Sequence, residues 1–394
     1  MSAPGHEEGH MPESIHTEAK LSIQEADNGY FNMSRSTMIV DLGAIQSNYR
    51  RVQALAPHSA CGAVVKADAY GLGAKHIAPF LAQLGCRDFF VADVEEGIAL
   101  RDVLPSSSKI YILHGAMPGM ELAAEQHDLL PILNSREQLD AWLQHCRQRN
   151  RALPAGIHVD TGLARLGFAV DELRAIAEYD SGLSELPVAL FMSQLACAEW
   201  RNGDSFQQLR RFRELTQLFP EAILSLSNSA ALFAGCEFHF DLIRAGGGIF
   251  GFLTSDDPCF KPSQVVHLRT QIVQSRKVEP GETIGYCRSY RASRQMRVAT
   301  ASIGYADGFP RSLGNRGNVF ICGIRVPIVG FVSMDLITID VTDLPESWTT
   351  PGAMVDVICP EQTVTDLASA ARMLSDEVTT AMGRRCRRLY VSAK

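Results

Sequence analysis

Lys66 is the residue of this sequence best placed to act as a nucleophile. It directly follows the apolar run 63–65 and opens a segment of small residues that contains Gly71 and Gly73. Burial beside apolar residues lowers the pKa of a lysine and makes its amine nucleophilic toward carbonyl carbons. A Schiff-base lysine is therefore one interpretation, and a lysine that marks an ordinary strand end is the other.

Polar residues also lie at or just after the ends of four later apolar runs. These segments are His158-Val159-Asp160-Thr161-Gly162 with Arg165, Ser193-Gln194, Ser227-Asn228-Ser229, and Arg244-Ala245-Gly246-Gly247-Gly248. In a parallel α/β barrel the catalytic residues come from the carboxyl ends of the strands and from the loops that follow them. The glycines after the last run, with Ser229 after the previous one, suit a phosphate site built from backbone N–H groups. Taken alone, the glycine triplet suits a flexible turn equally well.

A further candidate is Tyr305, in the segment Ile303-Gly304-Tyr305-Ala306-Asp307-Gly308-Phe309-Pro310. It lies between small residues at a predicted junction of strand and turn. Such a tyrosine is either a proton-transfer group or a packed turn residue. The segment Val332-Ser333-Met334-Asp335 comes soon afterwards, and its aspartate also suits a turn.

The elements that must position these residues form a repeated strand–helix pattern. Eight apolar runs are spaced by roughly 20 to 35 residues, with amphipathic helical patterns between them. The runs are Gly62–Val65, Phe89–Ala92, Lys109–Leu113, Leu130–Leu133, Ala155–Val159, Val188–Met192, Ile223–Leu226 and Leu242–Ala245. Helices are predicted, for example, at His76–Leu84, Val94–Val103, Glu137–Arg149, Val170–Tyr179 and Phe206–Phe219. Eight such units predict a (β/α)8 TIM-type barrel rather than an open doubly wound sheet.

The pattern changes after residue 262. Short β-branched or alternating stretches are separated by Gly, Pro and Asp, which predicts a C-terminal, mostly-β domain. These stretches are Val265–Val273, Arg297–Ile303, Asn318–Ile321, Val326–Val329 and Leu336–Val341, with one helical pattern at Thr365–Met373. The predicted divisions are a polar, flexible tail over residues 1–33, the barrel over 34–262 and the β domain over 263–394. The strand predicted at 37–42 stands outside the eight and is expected to pair with the β domain.

Composition narrows the classes of function. The 394 residues are 46% hydrophobic and 21% charged, as in ordinary globular proteins, and the net charge is −7. A negative chain has no general attraction for nucleic acid or anionic lipid. The ten cysteines are scattered without a CxxC pair, and neither a signal peptide nor an 18-residue apolar stretch is found. A cytoplasmic protein with reduced cysteines is expected, and no metal site is predicted.

Together the segments above resemble the fold-type III, pyridoxal-phosphate-dependent alanine racemase family over about residues 36–392. The matching motifs are Ala63-Val64-Val65-Lys66-Ala67-Asp68-Ala69-Tyr70-Gly71, His158-Val159-Asp160-Thr161-Gly162-Leu163-Ala164-Arg165-Leu166-Gly167, Asn228-Ser229, Ile303-Gly304-Tyr305-Ala306-Asp307-Gly308 and Val332-Ser333-Met334-Asp335. Five separated motifs in the same order are a specific match.

The resemblance implies an isomerase that interconverts L- and D-alanine with pyridoxal 5′-phosphate. Lys66 would carry the cofactor and act as one base, and Tyr305 would be the second, contributed by the other subunit of a head-to-tail homodimer. Bases on opposite faces of the Cα carbon suffice for racemisation, because one removes the proton and the other returns it from the opposite side.

The resemblance also assigns the remaining site residues. Arg244 would face the pyridine nitrogen and leave it unprotonated, since arginine does not readily give up a proton. Tyr70, Ser229, Gly246 and Gly247 would hold the phosphate, with Asn228 beside them. Arg165 and the Met334 backbone would contact O3′ of the cofactor or the substrate carboxylate.

The sequence departs from the family pattern at several positions. Many relatives have a histidine where this chain has Gln194, and usually a tyrosine where it has Phe250 and Asp376. His158 stands where many relatives have a lysine. Because of these departures, a racemase that acts on another small amino acid such as serine stays an alternative interpretation. A fold-type III decarboxylase and a non-catalytic cofactor-binding barrel are less favoured, because the chain retains Tyr305 and the second domain.

Overall fold

A computed structural model describes residues 36–179, 182–198, 203–252 and 261–392 of the chain. The predicted tail, residues 1–33, lies outside the described residues. The strands are β1 (Thr37–Asp41), β2 (Ala60–Val64), β3 (Asp88–Val91), β4 (Lys109–Ile112), β5 (Leu129–Leu133), β6 (Ala155–Asp160), β7 (Phe168–Ala169), β8 (Val188–Met192), β9 (Ile223–Ser225), β10 (Leu242–Ala245), β11 (Val266–Val278), β12 (Thr283–Ile284), β13 (Tyr290–Arg291), β14 (Met296–Ala301), β15 (Asn318–Ile321), β16 (Ile324–Pro327), β17 (Ile337–Asp340), β18 (Met354–Ile358) and β19 (Arg387–Val391).

Most helices lie between the barrel strands. They are α1 (Leu42–Leu55), α2 (Lys66–Tyr70), α3 (Ala74–Gln83), α4 (Val94–Arg101), α5 (Glu121–Gln126), α6 (Arg136–Arg149), α7 (Val170–Tyr179), α8 (Gly182–Glu185), α9 (Gly203–Thr216), α10 (Gly247–Phe250), α11 (Val364–Ala371) and α12 (Ser375–Ala381). Short 3-10 turns span Ala230–Phe233, Cys236–Phe238, Tyr286–Arg288, Tyr305–Asp307, Arg311–Leu313 and Glu346–Trp348.

Eight parallel strands form the predicted barrel, in the order β10-β2-β3-β4-β5-β6-β8-β9. The gap between β9 and β10 is bridged by backbone hydrogen bonds, from Asp241 N–H to the Leu224 carbonyl at 3.1 Å and from Arg244 N–H to the Ser227 carbonyl at 3.0 Å. Strands that alternate with helices bury both faces, which explains their nearly continuous apolar sequences. The (β/α)8 prediction is confirmed.

The second sheet belongs to the C-terminal domain, with the order β16-β15-β18-β11-β1-β19 and with β14 paired to β11 and β17. Strand β1 lies between two strands from the other end of the chain. Its Met38 pairs with Leu268 of β11 in antiparallel register and with Arg388 of β19 in parallel register. The first described strand is therefore part of the β domain, although the barrel follows it in sequence.

Several elements differ from the sequence prediction. The helix predicted at Thr365–Met373 is confirmed as α11, Val364–Ala371, and a second helix that was not predicted, α12, follows it at Ser375–Ala381. An αL residue, Arg372, ends the first of them. Strands β18 and β19 were not predicted; β19 contains Arg387, Arg388 and Tyr390, and its pairing with β1 overrides a weak local preference. Among the described residues, no helix combines the length and apolarity needed to cross a bilayer.

Candidate active site

A cavity of about 1040 Å³ opens at the carboxyl ends of the barrel strands. Eight residues assigned from the sequence line it together: Lys66, Tyr70, Arg165, Asn228, Ser229, Arg244, Gly246 and Gly247. They come from four different segments, and parallel strands bring their carboxyl ends to one side of a barrel. The opposite wall comes from the β domain, through residues of α11, of α12 and of the segment between them.

Lys66 begins an unusual turn. The four residues after it, 67–70, have φ between 51° and 58°, a left-handed conformation that costs an L-residue about 1–2 kcal/mol. Hydrogen bonds hold this turn in place. Glu96 Oε1 accepts from Ala67 N–H at 2.7 Å, and Asp68 Oδ1 accepts from Ala74 N–H at 2.8 Å. The other oxygen of Glu96 accepts from Ala92 N–H at the end of β3, 2.8 Å away. Hydrogen bonds to the starts of α3 and α4 therefore fix the backbone that carries the lysine.

The surroundings of Lys66 favour a neutral amine. Burial lowers its pKa, and the nearby Arg165 guanidinium lowers it further. The carboxylates of Asp376 and Glu96 act in the opposite direction. Burial is the largest of these effects, so the amine is more readily deprotonated than an exposed lysine, as a nucleophile or a base requires.

Arg244 is buried on the barrel floor, where only 4% of its surface is exposed. Nη1 donates to the carbonyl and hydroxyl of Ser225 at 3.0 and 2.6 Å, and Nη2 donates to the Ser193 carbonyl at 2.7 Å and to Gln194 Oε1 at 3.0 Å. Burial lowers the Arg244 pKa to about 10, which still leaves the guanidinium charged at neutral pH. Gln194 thus supports the arginine with a neutral acceptor that cannot titrate.

Ser229, Gly246 and Tyr70 form a small cradle at one end of the cavity. Ser229 Oγ accepts from the N–H groups of Gly246 and Gly248 at 3.0 and 3.1 Å, so its own proton is available to donate. A Cβ atom on Gly246 would lie 2.4 Å from the Tyr70 hydroxyl, which leaves room only for glycine. Burial raises the Tyr70 pKa to about 12, so the phenol stays protonated. Two hydroxyl donors beside an open glycine backbone fit an anionic group such as a phosphate.

Phe250 packs against the cradle rather than presenting a polar group to it. Its ring centroid lies 5.2 Å from that of Tyr70, and the residue is 1% exposed. Ser229 holds the adjacent loop, because it fixes the start of α10 through Gly246 and Gly248. The missing hydroxyl is thus replaced by an aromatic contact that supports the Tyr70 ring.

The loop that carries Arg165 is organised by one carboxylate. Asp160 Oδ1 accepts from the N–H groups of Gly162 and Leu163, and Oδ2 accepts from Ala164 N–H, each at 2.8 Å. Ala164 has φ of 56°, so the chain reverses immediately before Arg165. This turn directs an exposed arginine to the rim of the cavity, as recognition of a carboxylate requires.

His158 lines the cavity as a neutral side chain with a fixed tautomer. Asn134 donates both amide protons to the carbonyls of Leu113 and Ile132, at 3.1 and 2.7 Å. Its Oδ1 must therefore accept from His158 Nδ1–H at 2.8 Å, which leaves Nε2 as an acceptor. Burial, and then the Arg244 charge, lower the His158 pKa to about 4.

Tyr305 and Met334 do not reach this cavity. They lie on the surface of the β domain, 45% and 54% exposed, and neither lines the cavity of its own chain. Their segments pack together, since Tyr305 N–H donates to the Ser333 carbonyl at 3.1 Å and Ala306 N–H to the Met334 carbonyl at 2.9 Å. The structure thus brings eight of the ten assigned residues together and leaves these two paired elsewhere.

Sequence reasoning missed part of the site. Glu96 and Asn134 act on Lys66 and His158 from helix α4 and the end of β5, and no local motif marks them. The α11–α12 wall was also missed, apart from Asp376, which the family comparison singled out. No group of three or more His, Cys, Asp and Glu side chains within the described ranges could hold a metal ion.

Comparisons with known proteins find relatives over nearly the whole chain. Residues 40–254 match the family model for the N-terminal domain of alanine racemase, and residues 265–390 match the model for its C-terminal domain. The chain is 40% identical over 373 residues to the catabolic alanine racemase of Agrobacterium fabrum, covering 94% of this chain and 95% of the relative. It is 39% identical over 364 residues to the alanine racemase of Rhodospirillum rubrum, covering 92% and 97%.

The chain also resembles the solved structure of an alanine racemase. The crystal structure of the Bartonella henselae alanine racemase, which carries covalently bound pyridoxal phosphate, superposes with a TM-score of 0.86 at 36% identity. The superposition covers 91% of this chain and 99% of that protein. With both domain models matched and these identities extending over nearly the whole length, the chain belongs to the alanine racemase family.

Proposed function

We propose that this protein racemises alanine with pyridoxal 5′-phosphate, using Lys66 and Tyr305 as its two bases. Membership of the alanine racemase family supports the reaction and the cofactor. The single observation that carries the assignment of residues is the convergence of Lys66, Arg244 and the Ser229 cradle on one cavity.

The residues present fit the cofactor. When bound, pyridoxal phosphate draws electron density away from Cα of an attached amino acid and so weakens the Cα–H bond. Ser229, Tyr70 and the Gly246 and Gly247 backbone would hold its phosphate, with Asn228 alongside. Lys66 would anchor its carbonyl carbon through the side-chain nitrogen.

Arg244 and Arg165 would tune and orient the reacting groups. A buried, charged Arg244 cannot offer the ring nitrogen a proton as easily as a carboxylic acid would, so electron withdrawal stays moderate. Side reactions that need a long-lived carbanion are thereby disfavoured. Arg165 at the rim, with the Met334 backbone, would hold the substrate carboxylate so that the Cα–H bond points at a base.

Tyr305 would enter the cavity from a second copy of the chain. In the monomer it is exposed on the β domain, outside the cavity that holds Lys66. A head-to-tail homodimer in which each β domain covers the partner's cavity would place a base on each face of Cα. Each active site would then need both subunits.

Replacement of either base tests this proposal. Lys66→Ala should abolish racemisation and the visible absorbance of the bound cofactor, because the covalent attachment is lost. Tyr305→Phe should keep that absorbance but lose at least about 10²-fold in kcat, a typical contribution of one general acid or base. Wild-type rates in Tyr305→Phe would remove the tyrosine from the mechanism.

We further propose that the enzyme works in the cytoplasm without nucleic acid or membrane partners. The net charge of −7 and the scattered cysteines support this.

A further inference from the structure

Arg385 links the two segments that carry Tyr305 and Met334. Its Nε lies 3.1 Å from Asp307 Oδ1, and its Nη1 lies 2.6 Å from Asp335 Oδ1. Asp307 ends the 3-10 turn that Tyr305 begins, and Asp335 directly follows Met334. One guanidinium therefore joins two loops that are about thirty residues apart in the sequence.

The carboxylate of Asp307 is the buried arm of this bridge. The residue is 5% exposed, and its Oδ2 accepts from Gly304 N–H at 2.9 Å. A buried carboxylate is costly without a cation and well-directed hydrogen bonds. Within the described part of the chain, Arg385 is the cation that contacts Asp307, and it is also the cation that contacts Asp335.

The bridge acts on a tightly packed pair of segments. A Cβ atom on Gly304 would lie 2.3 Å from the Met334 carbonyl oxygen, so the two backbones are already in contact. Gly383 N–H also donates to the Asp307 carbonyl at 3.1 Å, which ties the Arg385 segment to the same turn. A planar guanidinium can hold both carboxylates at fixed angles, whereas a lysine would act as a point charge.

We propose that Arg385 is a positioning residue for the second base. By clamping Asp307 to Asp335, it holds the Tyr305 phenol at a fixed height above the surface of the β domain and keeps the Met334 backbone beside it. This role rests on the proposed function, in which Tyr305 transfers a proton at Cα.

A stereochemical experiment separates this role from general stability. Arg385→Ala and the matched control Arg384→Ala are incubated as holoenzymes with each enantiomer of alanine in deuterated water. Arg384 is exposed and adjacent, and it makes no hydrogen bond or ion pair with any residue that the structure describes. Deuterium at Cα and the configuration of the product are followed together by NMR and chiral analysis.

The readout depends on which base is displaced. Lys66 can remove the Cα proton, release it to solvent and return a deuteron to the same face, which gives exchange without inversion. Inversion needs Tyr305 on the other face. For one enantiomer, Arg385→Ala should therefore raise the ratio of exchange to inversion by about tenfold or more, because small displacements of a catalytic group are costly. Cofactor absorbance should match that of Arg384→Ala, whereas the melting temperature should fall below it, because the buried Asp307 carboxylate loses its cation.

Three outcomes decide the matter. A ratio in Arg385→Ala equal to that in Arg384→Ala overturns the positioning role. If Arg385→Ala does not fold, Asp335→Asn tests one arm of the bridge, and an unchanged ratio there overturns the role in the same way. Tyr305→Phe serves as the reference for a lost second base; if it inverts alanine at the wild-type rate, the proposed function itself fails, which is distinct from failure of Arg385 alone.

Discussion

At the scale of single residues, the protonation state of Lys66 depends on a balance between its burial and the charges around it. Burial and Arg165 lower its pKa, whereas Asp376 and Glu96 raise it. Asp376 lies in the cavity wall, where the family usually has a tyrosine, so this chain places a negative charge opposite the lysine. The carboxylate should keep the amine protonated to higher pH than a neutral residue there would.

Asp376→Asn should consequently lower the pKa of Lys66. An amine reacts only when deprotonated, so the midpoint of its pH-dependent labelling should move to lower pH. This is measured on the cofactor-free protein, by mass spectrometry of the peptide containing Lys66 after brief reaction with an amine-specific reagent. Glu377→Gln is the control, since that exposed carboxylate on the same helix does not contribute to the Lys66 pKa. A midpoint that stays in place in Asp376→Asn, or moves upward, contradicts this account.

At the scale of elements, the left-handed turn after Lys66 depends on helix α4. Asp93 caps this helix by accepting from Glu96 N–H at 2.9 Å, and the cap fixes where the Glu96 side chain begins. Glu96 then accepts from Ala67 and Ala92, on two different segments. Hydrogen bonds to a charged acceptor help offset the conformational cost of four residues with positive φ.

Glu96→Gln should loosen this turn without disturbing the barrel. An amide offers one acceptor oxygen where the carboxylate offers two, so we expect a loss of about 1 kcal/mol in local stability. Hydrogen exchange of amides 67–73 should then accelerate about fivefold, following the usual relation between free energy and equilibrium constant. Glu95→Gln, at an exposed neighbouring position, should leave those amides at the wild-type rate. Equal exchange in the two variants would show that Glu96 does not hold the turn.

At the scale of the whole molecule, the cavity is shared between domains and, in our proposal, between subunits. The β domain supplies the α11–α12 wall above its own barrel, while Tyr305 is exposed and does not line that cavity. Strand β1 ties the two ends of the chain into one sheet, because it pairs with both β11 and β19. A dimer with exchanged bases would make quaternary structure a condition of catalysis.

Mixing two inactive variants tests the shared site. A dimer of one Lys66→Ala chain and one Tyr305→Phe chain has one site with neither base and one site with both. When equal amounts of the two variants reassociate at random, about half of the dimers are mixed. Each mixed dimer has one active site out of two, so about a quarter of wild-type activity should return. Activity is assayed after mixing, dissociation and reassociation, with each variant treated alone as its control. No recovery, despite mixed dimers detected by mass spectrometry, would place both bases within one chain.

The barrel and most of the predicted residues that line its cavity could be identified from the sequence. Strands β8, β10 and β15 have the predicted limits, because short apolar runs between turn residues have few other ways to be buried. Lys66 and Ser229 follow such runs and Arg244 lies near the end of one, and parallel topology brings the ends of those strands to one side of the barrel. The pattern of apolar runs and the barrel fold therefore indicate the same cavity-lining residues.

Other features depend on contacts between segments that are distant in the sequence. The left-handed turn after Lys66 is held by Glu96 from another helix, and the tautomer of His158 is fixed by Asn134. The segments of Tyr305 and Met334 are joined by Arg385. The sequence by itself predicted which residues would carry the chemistry, from its apolar runs and from its resemblance to the alanine racemase family. Only the tertiary structure decided their pKa values, their tautomers and the placement of Tyr305 outside its own cavity, because desolvation and charge depend on distances that no local pattern encodes.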